Sequence, residues 1–161
     1  MASRMNSRVK WLGEMAFEGQ TGSRHAVEMD ADADVGGQNR GARPMELLLA
    51  GLGGCTGMDV ISILKKMRQD VTSYEVAIEA ERTSVHPKVF TTIVVEHIVR
   101  GRHLSEDAVR KAVRLSATKY CPASAMLGKA ATVEHRYSVT EEDDDPTSGE
   151  AISQAQALSA D

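Results

Sequence analysis

Residues 44–67 read PMELLLAGLGGCTGMDVISILKKM, and this stretch decides the fold. Between positions 47 and 64 apolar side chains recur on every side of a helical wheel, interrupted by Gly51, Gly53, Gly54, Thr56, Gly57, Asp59 and Ser62, with Cys55 near the middle. A helix apolar all round is expected to be buried all round. Pro44 suits the first helical turn, where its missing N–H is no loss, and Lys65, Lys66 and Arg68 meet the negative pole of the helix dipole at the other end. The length approaches that of a membrane span. The small and polar residues, the charge on Asp59 and the lack of an aromatic belt argue for a protein interior instead. Each interior glycine costs about 1 kcal/mol relative to alanine. Close approach of another backbone, or of a substrate, to the glycine surface offsets that cost, and Cys55 lies in its midst.

Working outward, 161 residues with 42% hydrophobic content are enough for one domain with a working core, expected over 8–140. Aromatic residues make up only 4%, so Leu, Val, Ile and Met must supply the packing. A net charge of -4 leaves no basic footprint, which disfavours nucleic acid and anionic membranes as partners. The N-terminus carries no apolar signal region, so a cytoplasmic protein is expected. In that compartment two cysteines are more readily reduced thiols than a permanent staple.

Before the central helix, residues 9–12, 15–18 and 25–29 carry the alternation of short strands, with turn chemistry at 19–23. They predict an antiparallel meander. Residues 31–43, rich in Asp and Gly, form a long loop leading into Pro44. After the helix, 74–81 alternates apolar with mostly acidic residues, and 90–99 is rich in β-branched residues, which predicts a hairpin. Ser105 can cap a helix over 106–119, with Glu106 and Asp107 at its positive end and Val109, Ala112, Val113 and Ala117 as its apolar stripe. Pro122 then breaks the helix and can open a short new one, leaving Cys121 at or near an N-cap, a position that favours a thiolate. Residues 132–139 predict a last strand, and 141–161 an acidic, disordered tail.

The five histidines are scattered and there is no Cys-x-x-Cys, so no metal site is expected, and no cofactor. The glycines of the helix lack the Gly-Lys-Ser/Thr ending of a phosphate loop. What remains is the pair Cys55 and Cys121. A helix that starts at Pro44 and reaches PMELLLAGLGGC, followed after a hairpin and a second helix by Cys121-Pro122-Ala123-Ser124 and a final strand, resembles the OsmC/Ohr family of thiol-dependent peroxidases, in particular its OsmC-like, YhfA-type branch, over residues 9–139.

The resemblance implies an α+β fold with antiparallel sheets and a long central helix, built as an intertwined homodimer with active sites at the subunit interface. It implies Cys55 as the peroxidatic thiolate that reduces a small hydrophobic hydroperoxide, Cys121 as the thiol that resolves the sulfenic acid to a disulfide, and a dithiol as final reductant. This agrees with general thiol chemistry. A thiolate in mid-helix gains little from the dipole and needs a cation. The family's arginine follows a Gly-containing turn near the N-terminus, which Thr21-Gly22-Ser23-Arg24 resembles, so Arg24 is the expected partner, with Arg40 and Arg43 in reserve. The family's glutamate directly after the proline is replaced by Met45, and Glu46 follows one residue later. Glu46 lies roughly 13 Å along the axis from Cys55 of the same unbroken helix, so contact would require a kink or the partner subunit. An ionised Asp59, one turn past Cys55, would raise the thiol pKa unless paired elsewhere. The alternative reading is a non-catalytic, small-ligand-binding member of the family, or a thiol redox sensor.

Overall fold

The computed structural model describes residues 4–142 and the two-residue strand Gln156–Ala157, and divides into two compact units, Met1–Ala50 and Gly51–Asp161. In the first unit, β1 (Ser7–Gly13), β2 (Ala16–Thr21) and β3 (Ala26–Met29) form the expected antiparallel meander in that order. The second turn begins later than its sequence suggests, because Gly19 and Gln20 stay paired in the sheet. Arg24 closes it in left-handed conformation, φ 67°, donating its N–H to the Thr21 carbonyl at 2.9 Å.

The loop after β3 is ordered by one carboxylate. Buried Asp30 accepts the backbone N–H groups of Ala31 (2.8 Å), Gln38 (3.0 Å) and Arg40 (3.0 Å), with the Arg40 guanidinium 3.8 Å away. These bonds replace the secondary structure that the Asp/Gly-rich sequence cannot form. Two glycines let the chain close up: a Cβ at Gly37 would stand 1.9 Å from the Ala31 carbonyl oxygen, and one at Gly41 would stand 2.7 Å from Glu28 backbone.

Helix α1 (Pro44–Lys66) begins in the first unit and lies mostly in the second, with the predicted start and an end one residue early. Within the second unit its Leu52, Thr56, Val60 and Leu64, four residues apart, form a single buried stripe, while Met58 is 73% exposed. Burial all round is therefore not achieved among the described residues of this unit, where one stripe of the helix is covered. The glycines divide the same way. A Cβ at Gly53 or Gly57 would meet Ile78 at 3.1 Å or Val76 at 3.5 Å, whereas one at Gly51 or Gly54 would meet nothing within 4 Å. By length and composition α1 is also apolar enough to cross a membrane. Its packed stripe, and an Asp59 tied to Ser116, are features of an interior helix instead.

The second unit's sheet has the order β4-β5-β6-β7, from β4 (Asp70–Arg82), β5 (Phe90–Arg102), β6 (Thr132–Glu141) and β7 (Gln156–Ala157). The predicted hairpin is β4–β5, longer at both ends than its alternation suggested. β5 and β6 pair in parallel, in a sheet otherwise antiparallel, because two helices rather than a turn connect them. The core gathers Val60 and Leu64 of α1, Val99 of β5, Tyr137 of β6, and Val109, Ala112 and Val113 of α2 (Glu106–Leu115). Ser105 caps α2 as its sequence predicts, its hydroxyl accepting the Ala108 N–H at 3.2 Å.

The α-helical hydrogen bonding of α2 stops at Leu115, short of the expected 119, and Ser116–Tyr120 forms a wider π turn in which Cys121 donates its N–H to the Ser116 carbonyl at 2.9 Å. Pro122 accounts for the change, since the residue before a proline is steered out of the helical region, and Cys121 is extended at φ -75°, ψ 105°. Of the tail expected to be disordered over 141–161, only Glu141, Glu142 and β7 fall among the described residues.

Candidate active site

Cys121 is the N-cap of α3 (Pro122–Leu127), with Pro122 at the first helical position and Ser124 N–H donating to Cys121 Sγ at 3.4 Å. The sequence signal for this cap is met residue for residue. Cys55 sits on α1, and its thiol interacts with the Cys121 thiol and with the backbone N–H of Ala123. Two cysteines 66 positions apart in the chain thus lie near enough for one thiol to act on the other. Cys121 is buried at 3% exposure and Cys55 is partly open.

Their approach is held by a clamp on either side. Ser116, first residue of the π turn, places its Oγ 2.8 Å from Thr56 Oγ1 and 3.0 Å from Asp59 Oδ2. The single Ser116 proton goes to the carboxylate and Thr56 donates to Ser116, so all three groups are satisfied in a buried place. Thr56 follows Cys55 directly and Asp59 lies one turn on. The clamp therefore fixes the end of α2, and Cys121 with it, against the turn of α1 that carries the other thiol. A groove of about 270 Å³ opens beside Asp59, lined also by Ser62, Ile63, Lys66, Leu115 and Tyr120.

Burial pushes the Cys55 thiol above its ordinary pKa; the Ala123 N–H pulls it down, while the Cys121 thiol and the charge of Asp59 push it up again. Within the described residues of its unit, none of the groups acting on Cys55 is a cation. The expected supporting residues stand in the first unit. Arg24 is exposed, and its guanidinium makes no ion pair or hydrogen bond among the described residues. Arg43 is engaged with Asp32 (3.0 Å), Gly41 and Asn39, and Arg40 stands beside Asp30. Glu46 accepts the Arg43 N–H at 2.9 Å, the reciprocal half of a capping box at the start of α1.

A second set of polar residues was not singled out from the sequence. Tyr74 Oη lies 2.6 Å from His97 Nδ1, His97 Nε2 lies 3.1 Å from His135 Nδ1, and His135 Nε2 lies 3.2 Å from Ser124 Oγ. Tyr74, His97 and His135 come from β4, β5 and β6, where they occupy diagonal positions on one face of the sheet, and the rings stack with the two imidazole centroids 5.4 Å apart. Burial lowers the pKa of His97 to about 3, helped by His135, and that of His135 to about 4. Burial, then the charge of Asp59, raises that of Tyr74. The signal that could have placed each one in the core is period two: His97 shares its phase with Ile93, Val95 and Val99, and His135 with Val133, Tyr137 and Val139. Among the described residues, no group of three His, Cys, Asp or Glu side chains could hold a metal ion.

A long helix bearing a cysteine, a second cysteine capping a short helix, and two sheets define a known class. The chain belongs to the OsmC-like protein family, whose family model matches residues 36–136. It is 43% identical over 135 residues to protein YhfA of Escherichia coli strain K12, a match spanning 84% of this chain and 98% of the relative. A solved structure of a hypothetical protein from Aquifex aeolicus VF5 is 29% identical with TM-score 0.78, covering 88% of this chain and all (100%) of that one. An organic hydroperoxide resistance protein from Elizabethkingia anophelis shares the fold at TM-score 0.64 and 14% identity, over 88% of this chain and 99% of that chain.

Proposed function

We propose that this protein is a thiol-dependent organic hydroperoxide reductase in which Cys55 attacks and Cys121 resolves. The observation that carries the reading is the nearness of the two thiols, one in mid-helix and one at an N-cap, with Ser116 bonding the segment of one to the helix of the other. The Cys55 thiolate takes the distal oxygen of the hydroperoxide, the O–O bond breaks, and the alkoxide leaves as the alcohol with one proton. Cys121 sulfur then displaces hydroxide from the sulfenic acid, giving the disulfide and water, and a dithiol reduces the disulfide. Organic hydroperoxide resistance in a structural neighbour points to the same substrate class.

The raised pKa of Cys55 calls for a cation that the described residues of its own unit do not supply. We assign that role to Arg24, and we assign to a second copy of the chain the open face of α1 around Met58, Gly51 and Gly54 and the exposed Val9 and Trp11 of β1. The reading places the protein in the cytoplasm, where dithiol reductants are maintained. Sedimentation at micromolar concentration is expected to show a dimer and no folded 17.4 kDa species. A stable monomer would remove the dimer from the proposal.

The test of the chemistry is a stoichiometric pulse of cumene hydroperoxide followed by peptide mapping. An intramolecular Cys55–Cys121 bond is expected, with sulfenic or sulfinic acid trapped on Cys55 in Cys121→Ser. Both thiols still reduced in the wild type would put the alternative in front. That alternative, a ligand-binding or sensing member without turnover, draws its support from the upward-shifted Cys55 thiol and from Met45.

A further inference from the structure

We propose that the Tyr74–His97–His135–Ser124 chain is a proton conduit that carries the Cys121 thiol proton away as the disulfide closes, and that Ser124 and the two histidines are positioning and relay residues for that step. The proposal rests on the reading that Cys55 is the oxidised thiol and Cys121 its partner. Each histidine spends both ring nitrogens on a hydrogen bond, in a region where His97 is 0% and His135 7% exposed.

The geometry permits only two proton arrangements. Both rings are neutral, so each has one N–H and one bare nitrogen, and all three contacts are satisfied only if every group donates in the same direction along the chain. In one arrangement Ser124 donates to His135, His135 to His97 and His97 to Tyr74. In the other every arrow is reversed. Passing from the first to the second moves one proton from the Ser124 end to the Tyr74 end while each heavy atom stays in place.

Both ends lie where the reaction could use them. At one end Ser124 belongs to the first turn of α3, where its backbone N–H, not its hydroxyl, is bonded to Cys121 Sγ, so the proposed transfer crosses from Sγ to Oγ within that one turn. At the other, Tyr74 is only half-buried, with its ring 3.7 Å from the position a Gly57 Cβ would take, so that end of the row is partly open to solvent. The proton count closes as follows. Cys121–SH gives its proton to Ser124 Oγ while its sulfur bonds Cys55 and hydroxide leaves. Ser124 passes its own proton to His135 Nε2, His135 Nδ1–H passes to His97 Nε2, and His97 Nδ1–H passes to Tyr74. Tyr74 releases its own hydroxyl proton to solvent, and the leaving hydroxide takes one from water. The sulfenic acid is reduced, the Cys121 thiol is oxidised, and no further reagent enters.

Glutamine at 97 or 135 offers one donor and one acceptor but has no tautomer to exchange. The experiment follows closure of the Cys55–Cys121 bond by rapid quench with a thiol-alkylating reagent, in water and in deuterium oxide, for the wild type, His97→Gln, His135→Gln and Tyr74→Phe. Two oxidants are used: cumene hydroperoxide, and diamide, which closes the same disulfide without peroxide chemistry. In the histidine variants closure is expected to slow by about tenfold or more with both oxidants, with a smaller solvent isotope effect. Sulfenic acid formation on Cys55, read in a Cys121→Ser background, should stay unchanged. Slowing with diamide alone, with peroxide inert in the wild type, would sustain the conduit and sink the peroxidase reading. Closure at the wild-type rate, or slowing with an unaltered isotope effect, would overturn the conduit and leave the chain a structural one.

Discussion

Serine in place of Cys55 is expected to lower steady-state hydroperoxide consumption by a factor on the order of 10³ or more, to the level of the uncatalysed reaction with the dithiol. The size follows from the division of labour at the site. The Ala123 N–H, the Ser116 clamp and the covering helices orient sulfur, but none of them is a nucleophile. A serine hydroxyl cannot donate an electron pair to the O–O bond at neutral pH, nor form the sulfur–oxygen intermediate. Cys121→Ser should behave differently: one fast turnover, then stalling, because the sulfenic acid has no thiol to condense with and climbs to sulfinic acid under excess peroxide. A coupled assay with dihydrolipoamide as reductant measures both. Equal residual rates in the two variants would contradict the assigned order of attack.

Acid is expected to destabilise the protein well above the carboxylate range. The two buried imidazoles protonate near 6.5 in the unfolded chain but only at about 3 and about 4 in the folded one. Over that window the unfolded state binds more protons, so stability is complete above about pH 6.5 and is lost as pH falls toward the folded values. At pH 5.5 each ring has already cost on the order of 1 kcal/mol and the pair a few kcal/mol, a large part of an ordinary domain's stability. Asp30 adds a separate loss at lower pH. Its carboxyl is held below the ordinary range, chiefly by the Arg40 N–H, so its contribution is present above that range and disappears as pH falls through the lowered value. Urea unfolding at pH 8 and pH 5.5, at one protein concentration, should show the imidazole loss, and His97→Gln should remove about half of it. Identical midpoints at the two pH values would mean that the histidines are not buried as neutral rings.

The parts legible in the sequence are those governed by local rules. The start of α1 at Pro44, the Ser105 and Cys121 caps, the hairpin and the last strand each follow from a few adjacent residues, and the structure has them. The π turn at Ser116 was hidden because residues 116–120 carry no helix breaker of their own; Pro122 and the bond to α1 impose it from outside. Likewise the Tyr74–His97–His135 row exists only once the register of three strands is set, and no single strand announces it. The half-open α1 marks the other limit. Its pattern predicts burial on all sides, but the pattern does not say whose surface provides it.

The Asp30 knot has a consequence for how this protein can vary. One carboxylate grips the chain at Ala31, Gln38 and Arg40, and glycine is required at 37 and 41, so the path of the loop is written at its two margins. Between them Ala33–Val35 is a single surface turn, with Val35 exposed. The margins and the middle thus differ in what they tolerate: exchange of residues 33–35 leaves the anchor points where they are, whereas a change at Asp30 removes the three backbone bonds that tie the loop. The same division makes the turn a natural graft point, a place where a foreign epitope or spectroscopic label can be carried on a base that is already tied.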